Sequence, residues 1–398
     1  MKIIVLLGDG MSDHPLAEIE NKTPLQAAKT PNMDFMAQNG TVGLAQTVPE
    51  GLPPGSDVAN LSVFGYDPHS CYTGRSPLEA LSMGVQLSAN DVAFRMNLVT
   101  LEPRGGKVYM EDFSAGHINN EDSHQLLQAL QEELGNENFQ FYPGVGYRHL
   151  MVWRNGKTGM ETVPPHDISG KPIISYLPQG DGADQLVWLM NAAQMVLHNH
   201  PVNLKRRENG LPVANSPWFW GHGKIPQLTP YIDKFGLKGA VISAVDLIRG
   251  IGVCAGLDVI KVPGATGYID TDYQGKAEAA IKTLQNYDFV YLHVEAPDEA
   301  SHSGNLNDKI KAIEDFDQKV VGTILKNAAD FEDLRILCCP DHPTPVALRT
   351  HTSDPVPFVI YRPNNQTSNG ADSYNEVSAK NSGLLIKEGH KLMDMLLG

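Results

Sequence analysis

Basic residues are scarce in this chain: 31 lysines and arginines stand against 46 aspartates and glutamates, a formal charge of −15 over 398 residues. Such an excess repels polyanions, which argues against nucleic acid or an anionic membrane as the main partner. A small anionic substrate would need a local basic pocket, because the field of the whole chain works against it. Cysteine is equally thin. Cys71, Cys254, Cys338 and Cys339 are the only four, and none shows the CxxC spacing of a metal site. That usage implies reduced thiols and a cytoplasmic location, with Cys338-Cys339 filling a buried strand. Long apolar runs are missing too. The stretch 239–260 carries Asp246 and Arg249 and is too polar to span a membrane. The opening MKIIVLLGDG is too short for a secretory leader, has no cleavage site, and reads as a first β-strand. No internal repeat, low-complexity tract or GxxxxGK[ST] loop for nucleotide phosphates occurs.

What is present is an ordinary globular composition, 41% hydrophobic and 19% charged. The length allows two or three domains and a large core. Buried strands are expected at residues 2–7, 239–243, 257–262, 288–294 and 334–339, alternating with helices at 276–286 and 307–326. That alternation predicts an α/β core with a mainly parallel sheet flanked by helices. Between residues 90 and 154 the texture changes to strand, strand, helix, strand, strand. An inserted smaller α+β domain at 89–175 is therefore expected, with the core formed by 1–88 and 176–398. An amphipathic helix is expected at 182–198, followed by the basic cluster Lys205-Arg206-Arg207.

Three expected strands each end in an aspartate: Asp9, Asp298 and Asp341. Chemistry in open α/β sheets gathers at the carboxyl ends of strands. His302 lies four residues after Asp298, so one helical turn places both on one face. His342 adjoins Asp341, and His351 follows in a proline-rich loop. Carboxylates with imidazoles suit Mn²⁺ or Zn²⁺, and carboxylates suit Mg²⁺. Taken singly, a strand-end aspartate is more often a helix cap; three of them with three histidines are not. Ser56 stands in PPGSDVANLSVFGYDP (residues 53–68), after a proline-glycine turn and before an apolar run. Alone it reads as the N-cap of a helix whose amino terminus would favour a phosphate.

In order, the chain carries Asp9-Gly10, Gly55-Ser56-Asp57, FGYDP at Phe64–Pro68 and TGRSPLEALSMG at Thr73–Gly84. There follow Asp298-x-x-x-His302-x-Gly304-Asn305, Asp341-His342 and Thr350-His351-Thr352. Over essentially its full length this resembles the alkaline phosphatase superfamily, and within it the cofactor-independent phosphoglycerate mutases of the archaeal type. The resemblance implies an alkaline-phosphatase-like core and two divalent metal ions, Mn²⁺ first, with Mg²⁺ or Zn²⁺ as alternatives. Asp298, His302 and His351 would hold one ion. Asp9, Ser56, Asp341 and His342 would hold the other, with Ser56 the nucleophile. The implied activity is interconversion of 3-phosphoglycerate and 2-phosphoglycerate through a phosphoserine, with the inserted domain as a lid. A homo-oligomer is left open.

A phosphate and a carboxylate call for arginines. Arg75 and Arg148 fall in family-like segments and are expected to bind substrate, with His149, Asp167 and Lys171 as further candidates. The chain departs from the archaeal pattern at three places. Asn60 stands where those members have histidine, Ala115-Gly116-His117 where they have AGR, and Trp220-Gly221-His222-Gly223 where they have an RGAG-like segment. All three are expected to face the substrate, with His117 or His222 as proton donor. These departures keep in play a related phosphotransferase such as a proposed homoserine kinase; a non-catalytic metal- or phosphate-binding protein is a third reading.

Overall fold

The computed structural model describes residues 1–365 and 367–398. The chain divides into two units, Met1–Tyr72 with Gln227–Gly398, and Thr73–Pro226.

The first unit is built on an eight-stranded sheet in the order Asp258–Val259, Gly239–Ile242, Phe289–Val294, Lys2–Gly8, Leu334–Cys339, Val356–Tyr361, Thr41–Ala45, Leu385–Ile386. Only Val356–Tyr361 runs against the rest. The central strands are continuous apolar runs such as KIIVLLG and FVYLHV, buried along nearly their whole length, as strands covered on both faces must be. Register then decides where the chemistry falls. Gly8 pairs with Val294 and Leu7 with Cys339, so three strands leave the sheet at one level. Asp9 and Glu295 follow directly from two of those exits, and Asp341 follows the third after Pro340.

Two helices depart from expectation. The stretch expected as one helix at 307–326 is Leu306–Asp315, a π-helical segment Phe316–Val321, then Gly322–Lys326. The π segment carries Asp317, whose carboxylate accepts the backbone N–H groups of Asn32 (3.2 Å) and Met33 (2.7 Å). Those donors open the helix Pro31–Asn39 and would otherwise be orphaned. The second departure is the helix Ser56–Val63, whose N-cap is Gly55 in an extended conformation. Ser56 is therefore its first helical residue, and its hydroxyl is free of capping duty.

The second unit is an antiparallel sheet in the order Lys107–Asp112, Val92–Arg104, Arg148–Trp153, Phe139–Val145, with Ser216–Gly223 also pairing with Val92–Arg104. Its core joins Phe94, Met96 and Leu98 to Leu126 and Leu130 of the helix Asn120–Leu134. Leu186 and Leu189 of the helix Ala183–His198 complete it. This unit is wider than the expected 89–175. The 13-residue strand Val92–Arg104 recruits a strand from beyond residue 210, and the Ala183–His198 helix that covers the sheet comes with it.

Candidate active site

The site grows from the aligned strand ends of the first unit. Asp9 and Asp341 are fully buried, and Asp298 nearly so. His302 Nδ1 faces the Arg349 carbonyl oxygen at 3.0 Å, which directs Nε2 toward Asp298 Oδ2 (3.1 Å) and His351 Nε2 (2.9 Å). His351 Nε2 lies 3.5 Å from Asp298 Oδ1. Two imidazole nitrogens and a carboxylate thus converge, an arrangement that could hold a metal ion, with an outer hydrogen bond fixing the His302 ring.

A second set lies beside it. His342 Nε2 is 3.1 Å from Ser56 Oγ, 3.4 Å from Asp341 Oδ2 and 3.7 Å from Asp9 Oδ1. Asp9, Asp341 and His342 cluster closely enough to share an ion, as do Asp298, His342 and His351. Asp9 Oδ1 is buried with no hydrogen-bond partner. Such an oxygen is costly to leave bare and fits a cation ligand. Donor type, convergence and this orphaned oxygen all suit divalent cations in both sets.

The electrostatics agree. Burial pushes the Asp9 carboxyl well above the usual range, and Asp341, Glu295 and Asp298 push it further by repulsion. Burial acts on Asp298 in the same direction, but hydrogen bonds from His302 and His351 hold it well below the usual range. In return Asp298 raises His302 to about 9. Burial lowers His342. Asp298 thus has an imidazolium partner, whereas Asp9 faces burial and carboxylate repulsion, a condition a cation would relieve.

Sequence reasoning places all seven proposed ligands in this one neighbourhood, but it misreads or misses several neighbours. Asn60 does not face open substrate space. It is fully buried, its amide nitrogen donating to Asp341 Oδ2 (2.7 Å) and to the Ser56 carbonyl (2.8 Å). Its oxygen accepts the Tyr291 hydroxyl at 2.6 Å. It therefore holds the Asp341 carboxylate in place, a role helix geometry allows four residues past Ser56. His293 and Glu295 are absent from the sequence-derived set. His293 Nε2 contacts Asp9 Oδ2 at 2.8 Å and its Nδ1 lies 3.1 Å from Ser243 Oγ. Burial, with added repulsion from Asp298, raises Glu295 to about 8. A histidine and a glutamate at the end of an otherwise apolar strand are the signal that could have found them. Thr344, hydrogen-bonded to Asp298 at 2.5 Å, is absent from that set as well.

The remaining candidates belong to the second unit. Arg75 pairs with Glu79 (2.8 Å), as does Arg95 (3.1 Å), whose guanidinium lies 4.5 Å from the Trp220 ring. Burial lowers Arg95, Glu79 opposes that shift, and Arg75 and Arg148 add repulsion, so three guanidiniums gather near one carboxylate in this unit. Arg148 sits over Tyr147 at 5.7 Å. His117 lies against the same ring on a turn where Ala115, Gly116 and His117 all have positive φ (49°, 69°, 49°). Asp112 holds that turn through the N–H groups of Ser114 and Gly116. Asp167 is exposed beside His166, and Lys171 donates to the Asp167 carbonyl at 2.9 Å. His149 is the exception. Its ring is buried, Nδ1 accepts the Gly144 N–H at 3.0 Å, and burial pushes it down to about 3, so it serves the sheet interior and offers no charge to a ligand. His222 is committed to Thr162 and Thr158 and stacks on Phe94.

Comparison with known proteins decides the family. A family model described as 2,3-bisphosphoglycerate-independent phosphoglycerate mutase matches residues 37–203. A probable enzyme of that name from Geobacter sulfurreducens is 62% identical over the whole of both chains. The chain belongs to the 2,3-bisphosphoglycerate-independent phosphoglycerate mutase family. The Methanosarcina barkeri member is 52% identical, covering 100% of this chain and 99% of its own. Among solved structures, the PH0037 protein of Pyrococcus horikoshii superposes with a TM-score of 0.83 at 31% identity, covering 100% and 96% of the two chains. The cofactor-independent phosphoglycerate mutase of Thermoplasma acidophilum does so at 0.70 and 29%, covering 100% and 99%. Membership of this mutase family makes the chain an isomerase.

Proposed function

We propose that this chain interconverts 3-phosphoglycerate and 2-phosphoglycerate without 2,3-bisphosphoglycerate, with Ser56 carrying the phosphoryl group between the two positions. The observation that carries the reading is the Ser56 hydroxyl, released from capping and 3.1 Å from His342, beside two converging donor sets.

Asp298, His302 and His351 would hold one divalent ion, and Asp9, Ser56, Asp341 and His342 the other, with Mn²⁺ first and Mg²⁺ or Zn²⁺ as alternatives. Ions held there would neutralise the phosphate and lower the pKa of the serine hydroxyl. Ser56 Oγ gives up its proton and forms a bond to phosphorus as the bond to the substrate's 3-oxygen breaks, and that oxygen takes a proton. The 2-hydroxyl of the retained glycerate then loses its proton and attacks the phosphoserine, and Ser56 Oγ is reprotonated. Protons balance over the cycle. The first helical turn from Ser56 adds backbone N–H groups for the phosphoryl oxygens. Arg75 and Arg148 are the proposed donors to the substrate's anionic groups, and His117 the proposed proton donor. Four unpaired cysteines suit a cytoplasmic enzyme.

Homoserine phosphorylation is disfavoured because the chain has no nucleotide-phosphate loop and its full-length relatives are named mutases. A purely binding role is disfavoured by the intact serine among intact ligands. The test is a coupled assay with Mn²⁺ and 3-phosphoglycerate, no bisphosphoglycerate, and enolase to report 2-phosphoglycerate. Turnover is expected. Its absence, together with ADP formation from ATP and homoserine, would overturn the proposal.

A further inference from the structure

Thr344 is fully buried between the two donor sets, with no solvent to satisfy its hydroxyl. Its backbone is fixed on both sides. The N–H donates to the Ser12 carbonyl at 3.1 Å, and the carbonyl accepts Lys309 Nζ at 2.9 Å. Lys309 is itself buried and paired with Asp13 at 2.8 Å. The hydroxyl oxygen lies 2.5 Å from Asp298 Oδ1 and 3.2 Å from His342 Nδ1.

A threonine hydroxyl has one proton to give. Asp298 already faces His302 and His351 and acts as acceptor, so Thr344 donates to it and must accept from His342. His342 then carries its proton on Nδ1, leaving the Nε2 lone pair directed at Ser56, Asp9 and Asp341. A continuous hydrogen-bonded chain results, from Ser56 through His342 and Thr344 to Asp298, linking a member of one set to a member of the other.

We infer that Thr344 is a positioning residue that couples the two cation sites, its hydroxyl fixing the orientation of Asp298 in one and the tautomer of His342 in the other. The inference rests on the two-cation reading above. A cation at Asp298, His302 and His351 orders the Asp298 carboxylate. Such an ion would further immobilise the Thr344 hydroxyl, which already keeps the His342 Nε2 lone pair free, so filling one site would favour filling the other.

The test titrates cation-free full-length protein with Mn²⁺ alone by calorimetry, with metal analysis for stoichiometry. The wild type is expected to bind two ions with positive coupling. Thr344→Val, which keeps the shape and removes the hydroxyl, is expected to lose the coupling and weaken the second ion by about 10- to 100-fold, the usual scale for such outer-sphere partners. Thr344→Ser is expected to restore both. Nitrogen-15 spectra of the imidazoles in the cation-free wild type give a reading that needs no variant to fold: His342 should carry its proton on Nδ1. A proton on Nε2, or a Val variant with wild-type coupling, overturns the role of Thr344. A wild type that binds fewer than two ions overturns the two-cation reading itself, and the His342 tautomer still decides on Thr344.

Discussion

The two units place their proposed functional side chains by different rules. In the first, Asp9, Glu295 and Asp341 stand at neighbouring strand exits because a parallel sheet in register brings those exits to one level. Proximity in space follows from position relative to a strand end. In the second unit, Arg75, Arg95 and Arg148 come from a helix start and two antiparallel strands. Which face each presents depends on a period of two and on bulges such as the one between Ala93 and Arg95. A parallel α/β core therefore writes its site into short motifs, whereas an antiparallel unit writes it into register.

That contrast predicts distinct failures. Variants among the first unit's donors should lose cations or chemistry, and variants among the second unit's arginines should lose substrate affinity alone. Ser56→Ala is the severest case: turnover should fall by at least about 10³-fold, while metal analysis still finds the ion at Asp298, His302 and His351. Asp298→Asn should remove one of two ions and cut kcat by at least about 10²-fold, because both facing imidazoles lose their carboxylate. Arg148→Ala should raise KM by about tenfold or more, the scale of a lost charged hydrogen bond, with cation content unchanged. An Arg148 variant that loses cations would break the comparison.

Smaller effects sharpen it. Tyr291→Phe removes only the hydroxyl that holds Asn60, and through it Asp341. It should weaken the ion at Asp341 by about tenfold, measured by Mn²⁺ titration. The mildest prediction concerns pH. The folded-state pKa of His302, about 9, lies above its unfolded value, so in cation-free protein its contribution to stability is complete below pH ~6.5. It is lost as pH rises through about 9. Thermal melts of the cation-free chain should therefore fall over that window, and His302→Gln should flatten the fall. Mn²⁺ affinity should rise over the same window, because a ligating imidazole must first lose its proton.

Much of the first unit's site is legible in the amino-acid sequence. Asp9 and Asp341 stand at strand exits as expected. Asp298, expected at a third, instead lies with His302 one turn apart on the helix Ala296–His302, and Ser56 follows a proline-glycine turn, so each still stands in a local pattern. Asn60 misleads because the family resemblance sets it against the substrate, while the helix from Ser56 turns it inward onto Asp341. His293 and Glu295 hide in a run dominated by apolar residues. Thr344 carries no charge or metal-ligand chemistry, and its proposed role emerges only where its loop meets the helix Ala296–His302. The boundary of the second unit escapes a local reading because Ser216–Gly223 joins a strand more than 100 residues earlier, a pairing no short pattern records.

The central claim is that Ser56 carries the phosphoryl group. The most direct measurement quenches the Mn²⁺-loaded enzyme during turnover of 3-phosphoglycerate and maps phosphorylation by peptide mass spectrometry. With heavy oxygen in the substrate's phosphate, the account predicts one labelled phosphoryl group on Ser56 that gives way to unlabelled phosphate on chase with ordinary 3-phosphoglycerate. Phosphate on another residue, or turnover with none trapped on any residue while Ser56→Ala stays active, would contradict it.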